Sequence, residues 1–129
     1  MSCRSIETNR APAAIGPYSQ AVSVGEWVFL SGQIPLVPET GELVAGDFGE
    51  QARQVLKNLG QVLAAAGCSW KDVVSVDVFL TDLGRFAEFN GIYSEHLEGH
   101  KPARAVVEVK GLPRGALIEM KCVAHQHRA

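Results

Sequence analysis

The chain has 129 residues, 47% hydrophobic and 20% charged, and its twelve Lys and Arg against fourteen Asp and Glu leave a net charge of −2. That length suits a single domain over residues 1–129 with a sizeable core, and the charge balance lacks the basic field that draws in nucleic acid. Cys3, Cys68 and Cys122 are odd in number and form no CxxC, which argues against a disulfide framework and fits the reduced thiols of the cytoplasm. The first ten residues lack the apolar core of a signal peptide, and no apolar run reaches the length of a membrane span, so a cytoplasmic location is expected.

In chain order, Ala21 to Gln33 reads as two strands joined at Val24-Gly-Glu26, with Trp27 and Phe29 on one face and Val28 and Leu30 on the other. Two prolines and Gly41 mark 35–46 as a loop. Asp47 and Glu50 have capping-box spacing, and Ala52, Val55, Leu56, Leu59, Val62, Leu63 and Ala66 follow at helical period up to Gly67. Val73 to Thr81 alternates as a strand. Asp82 then caps a second helix over about 83–97, with Phe86, Phe89, Asn90, Tyr93 and Leu97 on one stripe. Two strands close the chain, roughly Arg104–Lys110 and Leu117–Ala124. Two helices cover only one face of such a sheet, so the class is α+β. The other face, with Trp27 and Phe29, is expected to be an oligomer interface.

The closing strands carry the residues with chemical potential. Ile118, Met120, Cys122 and Ala124 form one apolar face, so Glu119 points the other way. If Ala105, Val107 and Val109 are the apolar side of the preceding strand, Arg104 and Glu119 share the side away from the helices. In a hairpin centred on Leu112-Pro113, Glu119 would stand opposite Val106 and diagonal to Arg104, at about 7–8 Å between Cα atoms. Two readings fit: a solvated surface ion pair, or a site that grips a carboxylate and handles a proton. Tyr18 reads as a loop anchor, Ser31-Gly32 as a strand end, and Asn90 as a tether from helix to loop. Cys68 and Cys122 read as small core residues, and His96 and His100 as solvated. His125 and His127 stand without a ligand cluster, so no metal is expected.

The segments Ala14-Ile-Gly-Pro-Tyr-Ser-Gln20, Leu30-Ser-Gly-Gln-Ile-Pro35, Gln51-Ala-Arg-Gln-Val-Leu-Lys-Asn58, Asn90-Gly-Ile-Tyr93, Pro102-Ala-Arg104, Leu112-Pro113 and Ile118-Glu-Met120 together resemble the Rid (YjgF-type) family of reactive-intermediate deaminases, nearly end to end. The resemblance implies chorismate-mutase-like subunits with a mixed sheet and two helices on one face. It implies a homotrimer that encloses the other faces and forms pockets between subunits. It further implies a hydrolase for metabolite damage control, turning 2-imino acids and their enamine tautomers, such as 2-aminoacrylate, into 2-keto acids and ammonia without a cofactor. On that analogy Arg104 clamps the substrate carboxylate and Glu119 positions water. Tyr18 closes the pocket from a neighbouring subunit, and Ser31, Gly32, Asn90, Val106 and Pro113 shape it. Val106 stands where some relatives have cysteine, leaving only a backbone amide to act there. Lys101 stands where some have an aromatic residue. The alternatives are a non-catalytic binder of small carboxylates with a regulatory or chaperone-like role, and a single-strand endoribonuclease. The net charge and the want of a basic, aromatic-interleaved stripe count against the last.

Overall fold

The computed structural model describes residues 2–126. A six-stranded sheet carries two helices on one face: β1 Cys3–Ile6, β2 Ala21–Val24, β3 Trp27–Leu30, α1 Phe48–Ala65, β4 Val73–Leu80, α2 Phe86–Leu97, β5 Ala103–Glu108 and β6 Ile118–His125. The strand order is β1-β2-β3-β6-β4-β5. Only the β4–β5 pair is parallel, and the remaining neighbours run antiparallel. His127 lies outside the described residues.

The apolar periodicity explains the layering. Ala52, Val55, Leu56, Leu59, Val62 and Leu63 of α1 are all buried, against Val28, Leu30, Val76, Val78, Leu80, Ile118, Met120, Cys122 and Ala124 of the sheet. Asp47 caps α1 by accepting from the Glu50 amide at 3.1 Å. Gly67, at φ +78°, takes the left-handed turn that ends it. Three buried amides bind loops to this frame. Gln20 accepts from Thr8 N at 2.7 Å and donates to Pro12 O at 2.7 Å. Gln51 accepts from Leu117 N at 2.9 Å. Asn58 donates to Leu36 O at 2.9 Å and accepts from Gln54 at 2.9 Å. Each satisfies loop backbone that has no ladder partner.

The chain departs from the sequence-based expectation in four places. Cys3–Ile6 forms an edge strand that its polar sequence does not announce. Asp82 caps a 3₁₀ turn, Leu83–Arg85, and the α-helix begins only at Phe86. His100 is half-buried rather than solvated, with its Nε2 2.8 Å from Val73 O. Most consequentially, β5 and β6 do not form a hairpin. β4 lies between them, pairing Val76 with Arg104 on one side and Phe79 with Glu119 on the other. The eight-residue β4, whose helix-facing Val76, Val78 and Leu80 are all buried, suits the centre of a sheet, whereas β5 carries Arg104 and Glu108, charges that suit an edge.

The parallel register also reverses the expected facing of β5. Arg104, Val106 and Glu108 sit beside Val76, Val78 and Leu80 and therefore face the helices. Ala105 and Val107 point to the open side. There Trp27, Phe29, Val74 and Val107 are 43%, 49%, 40% and 45% exposed. An apolar surface of this kind, spread over three strands, is rarely left in water.

Candidate functional site

Arg104 and Glu119 are not neighbours. They lie two strands apart and three residues out of register, about 14 Å between Cα atoms, and project from opposite faces. The expected diagonal pair at 7–8 Å, with Glu119 opposite Val106, is therefore incorrect. It assumed that consecutive strands pair, and the connection over 109–117 instead steps across the end of β4, where Val109 N bonds Leu80 O at 2.8 Å and Thr81 N bonds Leu117 O at 3.2 Å.

Around Arg104 the structure gathers one half of a candidate site. The guanidinium Nη1 donates to Asn90 Oδ1 at 2.8 Å. Its Cζ lies 4.9 Å from the ring centre of Tyr93, 5.8 Å from that of Phe86 and 5.9 Å from that of Phe89. Val106 follows on the same face, packed against the core. Asn90 thus holds an arginine on the adjoining strand rather than tethering a loop. Burial pushes the Tyr93 hydroxyl above its ordinary pKa, an effect that Arg104 partly offsets.

Around Glu119 it gathers the other half. A cavity of about 440 Å³ is bounded by Ile15, Tyr18, Gly32, Ile34, Pro113 and Glu119, among others. Tyr18 therefore shares a cavity with Glu119 in the same chain, contrary to the expectation that it reaches Glu119 from a neighbour. Backbone bonds between Gln33 and Met120, 2.8 and 3.1 Å long, hold the Gly32 segment along β6. A Cβ on Gly32 would collide with the Glu119 carboxylate, so only glycine lets the two approach. Burial raises the Glu119 pKa above the ordinary 4.5, and Lys121 opposes that shift more weakly. Ser31 precedes Gly32, and its hydroxyl donates to Ser19 O at 2.6 Å, which fixes the Tyr18 loop to the end of β3. Arg114 also lines the cavity and was not singled out by the sequence. At φ 62° it holds a left-handed backbone, and it reaches Gly41 O and Glu42 Oε2 at 3.3 Å each. The unusual backbone beside Pro113 is invisible in composition.

Chemically the halves are complementary. One presents a cation with donors to spare on an aromatic bed. The other presents a carboxyl group able to carry a proton in an apolar pocket. Among the described residues no group of three His, Cys, Asp or Glu side chains is placed to hold a metal ion, and no helix is long and apolar enough to cross a membrane.

Residues 8–126 match the family described as Endoribonuclease L-PSP, the YjgF or Rid family. The chain belongs to this family. A mouse 2-iminobutanoate/2-iminopropanoate deaminase is 49% identical over 94% of this chain and 90% of its own length. A RutC family protein of Pyrococcus abyssi is 51% identical over 94% and 95%. The crystal structure of E. coli TdcF with bound serine superposes with a TM-score of 0.91 at 43% identity, covering 96% of this chain and 99% of that one. The α+β architecture is thus that of other Rid proteins, and deaminases are among its relatives.

Proposed function

We propose that this protein hydrolyses 2-imino acids to 2-keto acids and ammonia at a site completed between two copies of the chain. The observation that carries the reading is the separation of the two half-sites. Arg104 with Asn90 lies on the helix face of edge strand β5, and Tyr18, Gly32 and Glu119 lie together on the other side of the sheet. One subunit cannot bring them to one small molecule, whereas a neighbour docked on the exposed apolar face can. By family analogy the assembly is a homotrimer in the cytoplasm, and the ligand is a small 2-imino or 2-keto acid.

In this arrangement the planar guanidinium of Arg104 receives the substrate carboxylate in two parallel hydrogen bonds. Glu119 of the adjoining subunit takes a proton from water as its oxygen adds to the C=N carbon. The imine nitrogen gains that proton to give a carbinolamine. Glu119 then takes the carbinolamine hydroxyl proton and passes it to nitrogen as the C=O bond forms and the C–N bond breaks, so ammonia leaves with the keto acid behind it. No electrons are transferred and no cofactor is called for. Because imines already hydrolyse in water, orientation and a base that shuttles protons supply a sufficient advantage.

Mixing variants tests the shared site. Arg104→Ala and Glu119→Gln chains, co-expressed at equal levels, should assemble mixed trimers in which one pocket of three keeps both residues. About a quarter of wild-type activity should return over all trimers. A Tyr18→Ala and Glu119→Gln mixture should recover nothing, because both belong to one half. No recovery in the first mixture would place Arg104 and Glu119 in one subunit's pocket and overturn the reading. Gly32→Ala should fold normally yet lose on the order of a hundredfold in kcat/KM, since the added methyl pushes the Glu119 carboxylate by about an ångström. Unchanged kinetics in that variant would remove Glu119 from the chemistry.

Two other functions fit parts of the site. A carboxylate binder without turnover would leave ammonia release from freshly generated imine at its spontaneous rate. The family description points instead to an endoribonuclease, yet the Glu119 cavity is walled by Ile15, Ile34 and Leu36 and offers no track of cations for a phosphate backbone. Cleavage of labelled single-stranded RNA, abolished by Arg104→Ala, would favour that activity over deamination.

A further inference from the structure

We infer that Tyr93 is the positioning residue for Arg104, acting through the face of its ring and not through its hydroxyl. The kinetic consequences rest on the deaminase reading, but the positioning itself does not.

An arginine on an edge strand has a long side chain free to sweep through solvent, and a ligand must meet the entropic cost of stopping it. Here one hydrogen bond, to Asn90, fixes one end of the guanidinium. A single bond to one nitrogen leaves the plane free to pivot about it. Three rings lie around that pivot, and Tyr93 is the nearest at 4.9 Å from Cζ. Within 6 Å of a ring face the quadrupole attracts a guanidinium and favours a definite orientation. Phe86, Phe89, Asn90 and Tyr93 are spaced by three and four residues on α2, so one helix stripe supplies both the anchor and the bed.

The members of the bed differ in rigidity. Phe86 is 39% exposed and can move, whereas Phe89 is fully buried and Tyr93 is 8% exposed. Tyr93 packs on Phe89 at 5.4 Å between ring centres, which fixes its tilt. Its ring is therefore both the closest to the guanidinium and one of the two that cannot move.

The hydroxyl has a different standing. It is buried and finds no hydrogen-bond partner among the described residues. A hydroxyl in that position weakens the fold and offers nothing to a ligand on the far side of the ring. Burial also keeps it protonated, so it presents Arg104 with no counter-charge. The ring and the hydroxyl should thus separate cleanly on mutation.

The test uses Tyr93→Phe, Tyr93→Leu and, because Tyr93 is part of the core, the exposed-ring variant Phe86→Ala. The first readout is the Arg104 side-chain Nε–H resonance in protein labelled with ¹⁵N-arginine, assigned by its loss in Arg104→Ala. Ring currents should set this resonance apart from those of solvated arginines in the wild type and in Tyr93→Phe. It should collapse towards the solvated position in Tyr93→Leu and move little in Phe86→Ala. The second readout is kinetic. Tyr93→Leu should raise KM about three- to tenfold with kcat within about twofold, because a carboxylate clamp acts on ground and transition state alike. Tyr93→Phe should keep wild-type constants with a higher Tm.

An Arg104 resonance unmoved in Tyr93→Leu would overturn the positioning role. Loss of activity in Tyr93→Phe would assign the function to the hydroxyl and overturn the ring mechanism. If the wild type hydrolysed no imine, the deaminase reading would fall, while the resonance would still decide whether Tyr93 orients Arg104.

Discussion

Arg104→Lys should lower kcat/KM for imine hydrolysis by about 30- to 1,000-fold while the protein stays folded and assembled. The expectation comes from three demands on one side chain. Arg104 must donate to Asn90 Oδ1, lie against the rings of Phe86, Phe89 and Tyr93, and still offer paired N–H groups to a carboxylate. Guanidinium meets all three because it is flat and carries five donors at fixed angles. An ammonium keeps the charge, but it has no plane to align with a ring or a carboxylate, and it is more strongly hydrated. Losing a bidentate, charge-assisted pair in this way costs about 2–4 kcal/mol, which converts to the stated range at 1.36 kcal/mol per decade. Stability should change little, since Arg104 is exposed and makes no ion pair among those the structure shows. Steady-state rates with imines generated in situ, alongside a thermal melt, give the answer. Wild-type kcat/KM in a folded lysine variant would mean that charge alone suffices and that the carboxylate clamp is misassigned.

The sequence disclosed the core and concealed the site, for identifiable physical reasons. Burial follows hydrophobic period, so α1 and the helix-facing side of β6 were legible from Ala52 to Leu63 and from Ile118 to Ala124. Period says nothing about which strand pairs with which. The reversed facing of β5 shows the consequence. Ala105, Val107 and Val109 look like a core face, yet the open side of this sheet is itself apolar, so alternation could not tell inside from outside. Arg104 and Glu119 were found because charges are conspicuous on apolar strands, but their relation depended on β4 lying between them, a long-range pairing that local pattern cannot supply. In the sequence Tyr93 is one more residue of an apolar helical stripe. Its contact with a guanidinium depends on a strand ten residues later. Gly32 read as a strand end, and its need for space comes from a carboxylate nearly ninety residues away.

Glu119→Gln should lower kcat about a hundredfold while leaving keto-acid binding unchanged. The carboxyl group sits in an apolar cavity beside Gly32 and Ile34, and burial raises its pKa above the ordinary 4.5. A carboxylate with a raised pKa holds a proton taken from water more readily and can then return it to nitrogen. Removing such a group costs about 10²- to 10⁴-fold, and the low end applies because imines hydrolyse unaided. The same shift fixes the pH dependence. Activity should fall as pH drops through the raised Glu119 pKa, so the acid limb of the wild-type kcat profile should lie above pH 4.5 and be absent in Glu119→Gln. Stability runs the other way. Between 4.5 and the raised value the folded state holds more protons than the unfolded one, so this group's relative contribution is largest in acid and declines as pH rises through the folded pKa. At neutral pH the half-buried carboxylate is a liability that glutamine, of the same volume, does not carry. The variant should therefore melt no lower than wild type at pH 7 while turning over far more slowly. Pyruvate affinity by calorimetry, kcat from pH 4 to 8 and paired melts separate the outcomes. Weakened pyruvate binding with an intact kcat would make Glu119 a binding residue, and a wild-type acid limb retained in the glutamine variant would move the proton to another group.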